Sequence, residues 1–173
     1  MLLYIRHGKK VYGNKTKCDF PLDSPLSESG GIEAYQKFEE LLQTAFIPDM
    51  IICSPFLRTR QTASIAQDVI KEHTGQEIEI YCDPNIGEYL GNVKHIKLSE
   101  NVYPETYEFR PLENKSFEEF NRNINTHLNE QYSNVWYITH GLVIKTIAEK
   151  LGYTIDHPDE VSGFILDDQF III

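Results

Sequence analysis

Long apolar runs, cysteine and positive charge are all scarce in this chain. No stretch of its 173 residues approaches the ~20 apolar residues of a membrane-spanning helix. No basic segment with an apolar stretch and a cleavage site precedes the first strand. We therefore expect a cytoplasmic protein with no membrane partner. Lys and Arg number 16 against 26 Asp and Glu, a formal net charge of −10. Nucleic acids and anionic membranes need basic faces, so neither is an expected partner. An acidic chain can still bind an anion, but only where positive charge is gathered locally.

The three cysteines, Cys18, Cys53 and Cys82, are odd in number and far apart, which suggests neither a disulfide framework nor a zinc site. Each reads as a small buried apolar residue. Internal repeats and low-complexity tracts are also missing. What remains is an ordinary globular composition, 41% hydrophobic and 24% charged, long enough to bury a core. We read residues 1–173 as a single domain.

Strand and helix signals alternate along it. Leu2-Leu3-Tyr4-Ile5 and Met50-Ile51-Ile52-Cys53 are short apolar runs of the buried-strand kind, as is Val135-Trp136-Tyr137-Ile138. Ile32, Tyr35, Phe38, Leu41 and Leu42 recur at helical spacing after the block Leu26 to Gly30. A second helix is predicted from Ser54-Pro55 to about His73, with Gly75 as its stop. Residues 77–81 alternate like a strand. Ser116 with Glu119 resembles a capping box before a helix to about Tyr132. Residues 163–173 read as a hairpin turning at Asp167-Asp168. Between 83 and 111 the pattern breaks down, and a short specificity excursion is expected around 89–115. The alternation predicts an α/β three-layer sandwich, a mostly parallel central sheet flanked by helices.

Three strands end alike. Arg6-His7-Gly8 follows the first, Ser54-Pro55 with Arg58 follows the second, and Thr139-His140-Gly141 follows the strand at 135–138. In a parallel sheet those carboxyl ends share one edge, where open α/β sheets bind their ligands. Two arginines, two histidines and helix N-termini would meet there. That combination suits a doubly charged tetrahedral anion, namely phosphate. Cys53 with Arg58 invites a cysteine-phosphatase reading, but only four residues separate them, one short of that loop's spacing. His73, His95, His127 and His157 lack neighbours at ligand spacing and read as surface or packing residues. Gln61, Thr62 and Ser64 read as helix surface and packing.

These blocks resemble, in order, those of the histidine phosphatase superfamily, the phosphoglycerate mutase-like proteins. The matching segments are Leu3 to Gly8, Asp23 to Gly30, Ser54 to Ala63, Gly87-Glu88 with Tyr89 and Gly91, and Thr139 to Ile144. The resemblance implies a phosphoglycerate mutase-like fold and a phosphomonoester hydrolase working through a phosphohistidine on His7. It makes Arg6, Arg58 and His140 the phosphate-binding residues and Glu88 the general acid and base. Glu100, Glu105 and Glu108 are rivals for that last role. No metal or organic cofactor is called for, since phosphoryl transfer needs mainly positioning and charge neutralisation. His140, facing the anion, is expected in its charged form.

The family also holds mutases and non-catalytic binding members. Mutases carry a much longer insertion before the second histidine, whereas Glu88 and His140 lie only 52 positions apart. A small phosphorylated substrate is expected, with a phosphoprotein also open. The chain departs from the family in its first loop. Lys9 stands where an acidic or amide side chain is common, and Asn14 falls one place late for the family's asparagine. Residues 6–17 hold five basic side chains, Arg6, Lys9, Lys10, Lys15 and Lys17, and no acid. Lys9, Lys10 and Asn14 are therefore substrate-binding candidates, with the lysines forming an electropositive lip for a second anionic group. Lys94, Lys97 and Arg110 are weaker candidates in the excursion.

Overall fold

A computed structural model describes residues 1–11, 23–89 and 116–173. Asn14, Lys15, Lys17 and Cys18 lie outside the described residues, as does all of the expected excursion after Tyr89. The rival carboxylates Glu100, Glu105 and Glu108 and the candidates Lys94, Lys97 and Arg110 fall there too.

The described chain runs β1 (Leu2–Arg6), α1 (Glu28–Thr44), β2 (Met50–Cys53), α2 (Leu57–Thr74) and β3 (Glu79–Cys82), then a single 3-10 turn (Pro84–Ile86). It continues through α3 (Phe117–Leu128), β4 (Val135–Thr139), α4 (Gly141–Lys150), β5 (Gly163–Leu166) and β6 (Phe170–Ile172). The six strands form one sheet in the order β3-β2-β4-β1-β5-β6. Its first four strands are mutually parallel, and β5 and β6 add an antiparallel hairpin at the far edge. The α/β sandwich with a mostly parallel sheet is thus the observed architecture.

Apolar residues on alternate sheet faces explain the two helical layers, because successive strand side chains point to opposite sides. Leu3, Ile5, Ile51, Cys53, Trp136 and Ile138 pack against Ala34, Phe38 and Leu41 of α1 and Ala63, Ala66 and Val69 of α2. Tyr4, Ile52, Val135 and Tyr137 pack against Phe120 and Ile124 of α3 and Val143, Ile144 and Ile147 of α4. Both faces of β4 are buried, which is why it reads as a continuous apolar run.

The helix boundaries follow their local chemistry. Ser27 caps α1 by accepting the Gly30 N–H at 3.0 Å. Gly75, at φ +74°, closes α2 in the left-handed conformation that glycine adopts without strain. The capping box at Ser116 and Glu119 forms as predicted. The helix it opens ends at Leu128 rather than Tyr132, because Asn129 and Glu130 turn back onto carbonyls of the last helical turn.

Register sets the site. Arg6 pairs with Thr139, and Cys53 pairs with both Ile138 and Cys82. Cross-links continue one step beyond the strand ends, with His7 N–H on the Thr139 carbonyl at 3.0 Å and Ser54 N–H on the Ile138 carbonyl at 3.0 Å. Asp83 N–H binds the Cys53 carbonyl at 2.9 Å. His7, Ser54, Asp83 and His140 are thereby aligned along one sheet edge.

Candidate active site

Arg58 sits in the first turn of α2, fully buried, and its guanidinium is the hub of the edge. Its Nε donates to His7 Nε2 at 3.1 Å. Its Nη2 pairs with the Glu88 carboxylate and lies 3.3 Å from His140 Nδ1. Its carbon centre stacks 4.5 Å over the Phe56 ring. Burial works against the guanidinium's charge, while Glu88 and Asp23 favour it.

These contacts assign the protons on both imidazoles. A guanidinium has no lone pair to offer, so whichever nitrogen faces it must accept. His7 Nε2 is therefore bare, and His7 Nδ1–H donates to the Gly8 carbonyl at 2.7 Å. His140 Nδ1 likewise accepts from Arg58, and its Nε2–H donates to Ser54 Oγ at 2.8 Å. Burial, then the Arg58 charge, lowers the His7 pKa to about 3 and pushes His140 well below the ordinary histidine range. In the protein alone the nearest full charge to His140 is a cation, so the charged form expected beside an anion is not favoured there. Only an anion brought alongside would reverse the preference.

The sequence-predicted residues divide by contact. His7, Arg58, Glu88 and His140 meet directly, with Glu88 Oε2 3.8 Å from His140 Nδ1 and the two imidazole centroids 5.2 Å apart. Arg6 borders them but turns toward the 158–160 segment, donating to the Pro158 carbonyl at 2.8 Å and pairing with Glu160 at 3.5 Å. Lys10 is half-buried and close enough to feel Arg58, Glu88, Arg6 and Glu160, whereas the Lys9 side chain is exposed. The Lys9 carbonyl accepts both Ser27 N–H and Ser27 Oγ–H.

Several supporting residues were missed by sequence reasoning. Thr62 is no mere packing residue, since its Oγ1 accepts the Gly8 N–H at 3.1 Å while donating to the Arg58 carbonyl at 2.7 Å. Gln61 Oε1 accepts the Leu26 N–H at 2.8 Å, and buried Asp23 accepts the Leu57 N–H at 2.5 Å. Ser54 fixes His140, and Thr139 Oγ1 holds the Ile86 carbonyl at 2.6 Å, two residues before Glu88. Their placement within the matched blocks was the available signal. Gly30 has a steric reason, because a Cβ there would lie 2.1 Å from the Lys9 carbonyl oxygen. Gly141 has another: the His157 ring occupies the space a Cβ would need.

His127 is a packing histidine of a specific kind, bonded through Nε2 to Tyr4 OH and through Nδ1 to Asp83, each at 3.1 Å. With Glu130, Asp83 and His127 form a group whose ligand atoms lie within 4.8 Å of one another, the one such possible metal group among the described residues. None of its members contacts Arg58. No helix among the described residues is long and apolar enough to cross a membrane.

A family model of the histidine phosphatase superfamily, branch 1, matches residues 2–162. The chain belongs to this superfamily. Solved structures extend the likeness at the level of the fold. TTHB049 from Thermus thermophilus is 20% identical at a TM-score of 0.65, covering 99% of this chain and 96% of that one. The ecdysone phosphate phosphatase of Bombix mori, solved with tungstate, is 14% identical at a TM-score of 0.66, with 99% and 91% covered. A phosphoglycerate mutase, also from Thermus thermophilus, is 22% identical at 0.62, with 99% and 95% covered. No protein of curated function matches this chain.

The buried neutral histidines have a consequence for stability. Unfolded, both bind protons near pH 6.5; folded, His7 does so only near 3 and His140 well below its ordinary value. As pH falls below about 6.5 the unfolded chain takes up more protons, so stability is lost with acid. We expect Tm to fall between about pH 6.5 and pH 5, above the ordinary carboxylate range. In thermal melts across that window His7→Asn should show a shallower slope than the parent protein. Identical slopes would contradict the assignment.

Proposed function

We propose that this superfamily member is a phosphomonoester hydrolase that needs no metal and works through a phosphohistidine on His7. The observation that carries the reading is the bare His7 Nε2, held by Arg58 Nε at 3.1 Å, on a ring whose pKa burial lowers to about 3. A nucleophile needs a free lone pair, and here it is already aimed at the cation that must neutralise the phosphoryl oxygens. A phosphate dianion entering between Arg58 and His140 competes with Glu88 for the guanidinium and frees that carboxyl to act. His140, then beside phosphoryl oxygens, gains a reason to be protonated.

In the first half-reaction His7 Nε2 bonds to phosphorus as the bond to the leaving oxygen breaks, and the Glu88 carboxyl gives that oxygen its proton. In the second, Glu88 takes a proton from water, whose oxygen attacks phosphorus and releases His7. Arg6 and Arg58 balance the charge throughout. The presence of His7, Arg58, Glu88 and His140 in one contact group weighs against a merely binding member. The short separation of Glu88 and His140 in sequence favours hydrolysis over a mutase reaction.

Turnover of an aryl phosphate in the presence of chelator tests this directly. Glu88→Gln should lower kcat by about 10²–10⁴-fold, the usual worth of general acid–base catalysis. His7→Ala should abolish both turnover and acid-labile, base-stable labelling by radioactive phosphate. A folded parent protein inactive on a panel of phosphomonoesters would overturn the reading, and phosphate migration without release would favour a mutase.

The first loop supports a narrower statement about substrate. Lys10 adds a half-buried positive charge beside Arg6 and Arg58, so the preferred substrate carries a second anionic group beyond the scissile phosphate. Lys10→Glu should raise KM for such a substrate by at least about fivefold, one ion pair of about 1 kcal/mol, and leave KM for a simple aryl phosphate nearly unchanged. Equal effects on both would contradict it.

A further inference from the structure

Cys53 and Cys82 are remote in sequence, but the parallel pairing of β2 and β3 sets them directly opposite in register. Their sulfurs lie 3.6 Å apart. Neighbouring strands run about 4.8 Å apart, inside the Cα separation of roughly 4.4–6.8 Å that a disulfide spans. Cys53 is fully buried, while Cys82 is partly exposed on β3, the edge strand of the sheet. An edge strand has a neighbour on one side only and can shift toward it. A cavity of about 350 Å³ bounded by Tyr81, Cys82, Asp83 and Tyr132 lies along that edge.

We propose that Cys53 and Cys82 form a reversible, peroxide-sensitive dithiol whose closure slows turnover at the neighbouring site. The Cys53 thiol's hydrogen bond and the Arg60 guanidinium favour the Cys82 thiolate against burial, while Cys53 is held as the thiol. Thiolates are the attacking form, so Cys82 reacts first. Its sulfur bonds to one peroxide oxygen and the O–O bond breaks. The other oxygen leaves as hydroxide that takes up the proton the Cys82 thiol had released, so water departs and a sulfenic acid remains. The Cys53 sulfur then attacks the Cys82 sulfur, the S–O bond breaks, and a second water departs with the Cys53 proton. Two electrons pass from the two sulfurs to hydrogen peroxide.

The route to the site is short on both strands. Cys53 precedes Ser54, which holds His140, and its carbonyl holds the Asp83 N–H. Asp83 caps the 3-10 turn that leads to Glu88, accepting the Asn85 N–H at 2.8 Å. Drawing Cys82 toward Cys53 therefore moves the base of the Glu88 segment. This activity effect rests on the hydrolase reading, whereas the formation of the bond does not.

The test treats the whole chain, unmodified and as Cys18→Ser, with stoichiometric hydrogen peroxide. Intact mass should drop by two hydrogens, peptide mapping should join the segments holding Cys53 and Cys82, and dithiothreitol should reverse both changes. Cys82→Ser should abolish the bond, and Cys53→Ala should leave a Cys82 sulfenic acid trapped by dimedone. Oxidation should lower kcat severalfold in the Cys18→Ser protein and not in Cys82→Ser. A bond to Cys18, a bond between chains, or sulfinic acid alone would overturn the site. The Cys53–Cys82 bond with kcat unchanged would overturn the coupling.

Discussion

A guanidinium buried without solvent must find its partners in the protein, and those of Arg58 include two imidazoles, one carboxylate and an aromatic face. That requirement organises the edge. Because arginine only donates, each histidine nitrogen turned toward it must be bare. Burial keeps both imidazoles neutral, and because arginine stays charged when buried, Arg58 adds to that preference. One side chain thus fixes the tautomer of the two histidines, and it also holds the Glu88 carboxyl.

Arg58 owes its place to contacts that are mostly backbone-deep. Asp23 binds the amide of Leu57 at the start of α2, and Thr59 caps back onto the Ser54 and Phe56 carbonyls. Thr62 ties the arginine's own carbonyl to the Gly8 amide, joining the residue after His7 to α2. Gly30 lets the N-terminus of α1 touch the Lys9 carbonyl, and Ser27 grips that carbonyl with both its groups. The loop read from sequence as an electropositive lip of lysines is, over Gly8 to Lys10, strapped to two helices.

The strands were legible because both sheet faces are buried, which leaves short apolar runs bounded by polar turns, and the parallel core follows from their alternation with helices. The convergence of His7, Arg58 and His140 was legible for the same reason, since parallel strands deliver their carboxyl ends to one edge. Glu88 was reached only through resemblance, because an irregular segment carries no periodicity to read. The anchoring roles of Thr62, Gln61 and Asp23 were hidden, since a side-chain-to-backbone hydrogen bond across dozens of residues leaves no local pattern. Cys53 and Cys82 were dismissed for their distance in sequence, and only strand register brought them together. The charge on His140 depends on its company: burial and the nearby cation keep it neutral in the protein alone, and the charged form expected from sequence is that of the anion-bound site.

Nitrogen NMR of the His7 ring in the free protein tests the central claim most directly. The account predicts a neutral imidazole at neutral pH, its proton on Nδ1 and its Nε2 bare, persisting well below the ordinary histidine pKa. A proton on Nε2, or an imidazolium at neutral pH, would contradict it.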